Sequence, residues 1–297
     1  MSATAVTIGT FDGLHLGHRH LLATLCAEAS ARGLEPLAVT FARHPLATLR
    51  PGAQPPLLAP RPPQLPVRTE VIDFDRATAA LTAADFMSLL RERYDARLLV
   101  IGHDNRLGSD LPADLGRYAA IGRGLGLEVI AATPLALPDG RVPASSAIRR
   151  ALLAGDPAGA ADMLGRPYAL GGVTVPGRRN GRRLGFPTLN LRPDAGLLVP
   201  AAGVYAGTVT LAGDSRAMPA VINVGDNPTI AAGNPVTVEA HVIDAELAPD
   251  LYGREATFAF GRYLRGERRF GSLDELRAAI AADVTACRSW SDASHNR

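Results

Sequence analysis

Over the first half of the chain, short apolar runs alternate with stretches of helical spacing. Ala5–Gly9 reads as a buried strand that ends on a glycine turn. From His18 to about Arg32, Leu21, Leu22, Leu25 and Ala29 recur on one helical face, and Gly33 stops the pattern. Leu37–Phe41, Leu98–Ile101 and Leu127–Ala131 read as further strands. Ala83–Tyr94 reads as a helix, with Thr82 as its N-cap and Phe86, Leu89 and Leu90 on its apolar side. Strands alternating with helices pair in parallel through right-handed crossovers, so this half is expected to be a doubly wound, Rossmann-like α/β domain. Ligands on such sheets bind beyond the carboxyl ends of the strands, which is where the turn Gly9–His18 lies. Pro51 to Pro66 holds seven prolines, too many for a helix or a central strand, and is expected to be a surface loop over the site.

The pattern changes near residue 150. Ala147–Ala154 and Pro157–Leu164 read as two short helices, the second capped by Asp156 with Pro157 at its first position. After Arg166-Pro167 the period becomes two. Tyr168–Val175, Gly203–Leu211, Pro219–Val224, Val236–Asp244 and Ala256–Arg265 are strand candidates separated by turns. Such a run predicts a small antiparallel barrel. Ser272 caps a last helix with Leu273, Leu276, Ile280 and Val284 on one face, expected to lie against the barrel; Ser289–Arg297 reads as a polar tail. The domains are drawn at 1–156 and 157–297.

Composition fits this two-domain reading. The 297 residues are 47% hydrophobic and 20% charged, enough for a substantial core. A net charge of +2 gives no reason to expect nucleic acid or a membrane as partner. Cys26 and Cys287 have no metal or redox spacing and read as inert thiols. No apolar run reaches the roughly 20 residues of a membrane helix, and no secretory leader is read at the N-terminus. A cytoplasmic enzyme is expected; no oligomeric state is read from the pattern.

The first chemical constellation is Gly9-Thr10-Phe11-Asp12-Gly13-Leu14-His15-Leu16-Gly17-His18. Glycines at 9, 13 and 17 let backbone approach a bulky anion, and the following helix start offers N–H groups to phosphate. Two imidazoles can donate hydrogen bonds as charge builds in a transition state. One histidine at a helix start is most often only a cap; the full string resembles the signature of the HxGH nucleotidyltransferase superfamily. Ser145-Ser146-Ala147-Ile148-Arg149 resembles that superfamily's downstream segment, where hydroxyls and an arginine reach the triphosphate. The nucleotide-binding set on this side is Gly9, Phe11, Asp12, Gly17, Ser145, Ser146 and Arg149, with His15 and His18 as the catalytic pair.

The second constellation is the glycine- and arginine-rich loop from Gly177 to Gly185, which runs into Phe186-Pro187-Thr188-Leu189-Asn190. Gly177, Gly181, Arg182, Gly185 and Pro187 belong to a segment suited to polyphosphate. The Thr188 hydroxyl and Asn190 carbonyl are hard oxygen ligands of the kind Mg²⁺ accepts alongside ATP. On these residues alone, a polar hairpin loop is an equal reading. This half, however, resembles the flavokinase (riboflavin kinase) domain over nearly its whole length. Leu164-Gly165-Arg166-Pro167-Tyr168, the segments around Gly203 and Asn223, Val238–Asp244 and Leu264–Phe270 all match in order. The resemblance implies a six-stranded flavokinase barrel with a terminal helix, Glu239 as catalytic base, and Asn227, Arg265 and Glu267 on the flavin side. The family usually has alanine where Leu189 stands.

Together the halves resemble the bacterial bifunctional riboflavin kinase/FMN adenylyltransferase (FAD synthetase) family. The resemblance implies two steps: riboflavin and ATP give FMN, and FMN and ATP give FAD and pyrophosphate. It implies Mg²⁺ as cofactor, ATP as co-substrate, and flavin as both substrate and product. Asp104 falls in the family's G-x-[DN]-F-x-F-G segment, expected at the flavin, but Asn105 and Leu107 occupy its two aromatic positions. Two readings therefore stand: both sites working, or a riboflavin kinase with a weakened N-terminal half. Glu239, Thr188 and Asn190 argue against a non-catalytic flavin-binding regulator.

Overall fold

The structure is a computed structural model that describes residues 2–50, 52, 54–102, 105–110, 115–177, 181, 184–225, 238–245 and 251–295. The chain divides into two compact units: residues 1–56 with 60–144, and 57–59 with 145–297. The boundary drawn at 156/157 falls between two helices that both belong to the second unit.

In the first unit, β1 (Thr4–Ile8), β2 (Glu35–Phe41), β3 (Arg68–Ile72), β4 (Ala96–Ile101) and β5 (Glu128–Ala131) form one sheet in the order β3-β2-β1-β4-β5. All four pairings are parallel. The order reverses between β1 and β4, so a crevice opens beyond the ends of those two strands. Helix α1 (Leu16–Ala31) buries Leu21, Leu22, Leu25 and Ala29, the four positions its spacing selects, against Ala5, Ala38 and Leu98. A fully buried leucine contributes about 1.5–3 kcal/mol relative to an exposed one, which is why this stripe decides the helix's roll. The short helices α2 (Pro45–Leu49) and α3 (Arg76–Ala80) follow β2 and β3. Helices α4 (Ala83–Tyr94) and α5 (Leu115–Leu125) contribute to a second core that contains Phe86, Leu90 and Tyr118. The expected N-cap Thr82 belongs to a capping box on α4: the Thr82 side chain accepts from the Asp85 N–H, and Asp85 accepts from the Thr82 N–H.

The second unit opens with α6 (Ser145–Leu153) and α7 (Pro157–Leu164). Six strands then close an antiparallel barrel: β6 (Tyr168–Val175), β7 (Leu189–Pro193), β8 (Gly203–Leu211), β9 (Met218–Val224), β10 (Val238–Val242) and β11 (Glu255–Arg265). Their order around the barrel is β10-β7-β6-β11-β8-β9. β6 alternates buried and half-buried residues along its whole length, as one face inside and one outside requires. Leu57, from the proline-rich stretch, adds an isolated bridge to Leu197 in this unit.

Two expectations are corrected. The last helix, α8, runs Leu273–His295 and includes most of the expected polar tail. Trp290 packs with Cys287 and Val284 against the barrel, so the apolar stripe continues one turn past the point where polar composition hides it. Strand β7, absent from the five strand candidates, supplies the sixth strand that the resemblance implies. It is five residues long and begins inside the Pro-Thr-Leu-Asn motif.

Candidate active sites

The N-terminal constellation lies beyond β1. His15 is the N-cap of α1, and its Nδ1 accepts from the His18 backbone N–H at 3.3 Å. An accepting Nδ1 carries no proton, so the neutral ring holds its hydrogen on Nε2. The two imidazoles stack at 3.6 Å between centroids with their planes 19° apart. Helix α1 thus starts two residues earlier than the leucine spacing implies, because the histidine itself is the cap. A methyl group on Gly17 would meet the Pro143 carbonyl at 3.0 Å and the His15 ring at 3.1 Å, so a side chain there would press on that ring. Phe11 and Leu14 hold positive φ angles of 47° and 42°, a region that bulky side chains rarely adopt. The Phe11 ring is fully buried and meets His18 edge-on at 5.4 Å. This leaves Phe11 only backbone to offer a nucleotide; its ring supports an imidazole. Burial, and secondarily the neighbouring His15, push the His18 pKa well below the usual histidine value. His18 is therefore neutral at pH 7, with a single N–H to donate.

Asp12 is buried in the same turn. After β4, Asn105 Nδ2 donates to the Ile8 carbonyl at 2.8 Å, while Leu107 is buried, with its N–H donating to the Tyr118 hydroxyl at 2.9 Å. The two positions that depart from the family aromatics are thus a backbone tether and a core residue. Asp104 lies outside the described residues. Ser145, Ser146 and Arg149 sit in the opening turns of α6, in the second unit.

Gly181, Leu184, Phe186 and Thr188 of the second constellation line a cavity of about 540 Å³ in the wall between the barrel and α8. Glu239 stands opposite Asn190 across the β10–β7 pair and opposite Asn223 across the β10–β9 pair. Directly opposed residues share a face, so a carboxylate is flanked by two carboxamides. Asn190 is buried, and Gly177 comes so close that no side chain fits between them. Thr188 and Glu239 both line the cavity. His241, two residues after Glu239 on the same face, bonds the Pro187 carbonyl through Nδ1 at 2.8 Å. A carbonyl only accepts, so Nδ1 carries the hydrogen and ties β10 to the residue before Thr188. Phe186 meets the His241 ring edge-on at 5.3 Å. Leu189 is buried opposite Ala240, on the core side and away from the polar face.

At the far wall, Asp283 on α8 takes Arg265 in a two-pronged pair, Nε–Oδ1 3.0 Å and Nη2–Oδ2 2.7 Å. Asn223 Nδ2 donates to Glu267 Oε1 at 3.1 Å. Arg268 lies 4.8 Å over the Phe270 ring. Arg265 and Glu267, expected at the flavin, therefore also join the end of β11 to α8 and the segment after it to β9. Gly181 and Gly185 precede Thr188, whereas Arg182 and Asn227 lie outside the described residues. Asp283 carries no motif; its only sign in the sequence is an acidic residue on the apolar stripe of α8. Among the described residues no cluster of three or more His, Cys, Asp or Glu could hold a metal ion. The oxygens of Thr188 and Asn190 instead fit Mg²⁺, which is commonly held by one or two protein groups plus nucleotide phosphates.

Fold and sites together fit a two-part transferase: a Rossmann-type unit with a histidine-bearing turn and a six-stranded barrel with a cavity lined by Thr188 and Glu239. A family model described as Riboflavin kinase (Flavokinase) matches residues 164–291, and one described as FAD synthetase (FAD_syn) matches residues 1–146. The bifunctional riboflavin kinase/FMN adenylyltransferase of Escherichia coli K12 is 36% identical over 293 residues, 96% of this chain and 92% of that one. The enzyme of the same name from Pseudomonas fluorescens is 35% identical over 98% of this chain and 94% of its own. The chain belongs to the bifunctional riboflavin kinase/FMN adenylyltransferase family, with both activities. A solved structure described as a macrolide-efflux protein from Streptococcus pneumoniae is also similar, with a TM-score of 0.82 at 28% identity over 98% of this chain and 95% of that one. That description stays with that protein; among the described residues here no helix is long and apolar enough to cross a membrane.

Proposed function

We propose that the two activities are divided between the halves, with phosphoryl transfer in the barrel cavity and adenylyl transfer at the His15–His18 turn. Glu239 is the general base: its carboxylate takes the proton of the ribityl 5′-hydroxyl, and that oxygen attacks the γ-phosphorus of ATP, releasing ADP. Thr188 and Asn190 present oxygens to the magnesium of MgATP. That ion, when bound, offsets charge on the phosphate oxygens. What carries this assignment is that Glu239 lines one cavity with Thr188 and stands directly opposite Asn190 in the neighbouring strand. Arg265 and Glu267 border the flavin from the far wall. In the N-terminal half, a phosphate oxygen of FMN attacks the α-phosphorus of ATP and pyrophosphate leaves. His15 and His18 donate hydrogen bonds to the charge that builds there. The site at the switch point of a parallel sheet supports this reading.

The test is to incubate the protein with riboflavin, Mg²⁺ and ATP and to separate the flavins by chromatography. Glu239→Gln should stop FMN formation and leave FMN-to-FAD conversion intact; His15→Ala or His18→Ala should do the reverse. Loss of both reactions through any one of these changes in a folded protein overturns the assignment.

A further inference from the structure

The proline-rich stretch takes no part in either reaction above, yet one of its side chains is tied into the N-terminal site. Arg61 is half-buried. Its Nη1 donates to the Thr10 carbonyl at 2.8 Å, and its Nη2 donates to the Phe41 carbonyl at 2.6 Å, with Thr40 Oγ1 at 3.4 Å. Thr10 lies in the turn that follows β1, and Phe41 is the last residue of β2. One guanidinium therefore spans the carboxyl ends of two neighbouring parallel strands. Burial lowers its affinity for the proton and Asp12 raises it, but a guanidinium stays charged throughout.

Two physical consequences follow from that placement. Carbonyl oxygens at strand ends carry partial negative charge, and here they face the side where ligands of such sheets bind. Unscreened, they would repel a triphosphate; a fixed cation over two of them reverses the sign of the local field. The planar fork also holds the turn in place, because its two nitrogens reach two acceptors in set directions. An ammonium on a flexible stem lacks that geometry.

We propose that Arg61 is a positioning residue of the adenylyl-transfer site: it fixes the Gly9–His18 turn against the end of β2 and screens the strand-end carbonyls from the triphosphate. The proposal rests on the assignment of adenylyl transfer to His15 and His18. Its test uses the full chain, in which the kinase reaction reports folding of the same preparation. With MgATP varied, Arg61→Ala should raise the KM for MgATP in FMN-to-FAD conversion about ten- to hundredfold, the range for losing hydrogen bonds to a charged group. The KM for FMN and the riboflavin kinase rate should stay within about twofold. Arg61→Lys should not restore the KM for MgATP. Added guanidinium ion at non-denaturing concentration should lower it in the alanine variant only. A merely structural role would reduce kcat through lost active enzyme and leave that KM unmoved. A KM within about threefold of the parent, or a joint fall of both activities, overturns the proposal. If His15→Ala and His18→Ala also leave adenylylation intact in the same assay, the fault lies with the site assignment and not with Arg61.

Discussion

Gly177→Ala tests the kinase site at the contact where space is tightest. A β-carbon built on Gly177 would lie 2.2 Å from Asn190 Nδ2 and 2.5 Å from its Cγ. Heavy atoms of this kind rest at about 3.5 Å, so one group must retreat by roughly an ångström. The backbone at Gly177 is outside the left-handed region, so the perturbation is one of contact and not of strain. The Asn190 backbone cannot give way easily, because it is paired with Glu239 of β10 on one side and Val175 of β6 on the other. The carboxamide must swing instead, and it carries away the oxygen proposed for Mg²⁺. A misplacement of about 1 Å in a reacting constellation can cost on the order of 10²-fold in rate, about 2.7 kcal/mol of barrier. The assay is the initial rate of FMN formation from riboflavin at saturating MgATP, with FAD formation from added FMN run in parallel. The expected result is a kinase kcat lower by about 10²-fold with adenylylation unchanged. A kinase rate within about threefold of the parent would refute the claim that the Asn190 carboxamide must sit where it does.

Two further predictions concern stability. A β-carbon at Gly261 would fall 1.9 Å from Trp290 Cζ2, so Gly261→Ala should lift α8 from the barrel and lower stability by about 1–3 kcal/mol. Trp290 is the only tryptophan, so a red-shifted emission together with a lower unfolding temperature would report that release, and unchanged emission would contradict it. For pH, His18 has a depressed pKa in the folded chain, so below about pH 6.5 the unfolded chain binds a proton that the folded chain refuses. Stability should fall as pH drops below that value, by at most about 1.4 kcal/mol per pH unit from this group. Denaturant titrations at pH 7.5 and 5.5 should show a shallower loss for His18→Leu, and an identical loss would refute the assignment.

Much of the architecture was legible because it rests on local pattern. The α1 face was visible in Leu21, Leu22, Leu25 and Ala29, and the change of period after Pro167 separated a parallel sheet from a barrel. The Gly9–His18 turn could be placed in advance at a strand end. Polar pairings were less legible. Asp283 meets Arg265 eighteen positions away, and Arg61 meets Thr10 across fifty-one, with no spacing rule to link them. Strand β7 escaped notice because a five-residue run that begins at a motif and ends in Arg-Pro shows little alternation.

The sequence alone determined most of the longer elements, the family and the residue types available for chemistry, since periodicity and motif are properties of neighbouring positions. Tertiary structure decided which of those residues act together. Closure of the barrel set the register that puts Glu239 between Asn190 and Asn223, and a one-residue slip would turn that carboxylate to the opposite face. Return of the proline-rich loop carried Arg61 to the ends of β1 and β2. Both outcomes depend on how distant segments pack and share hydrogen bonds, which no local stretch of the chain encodes by itself.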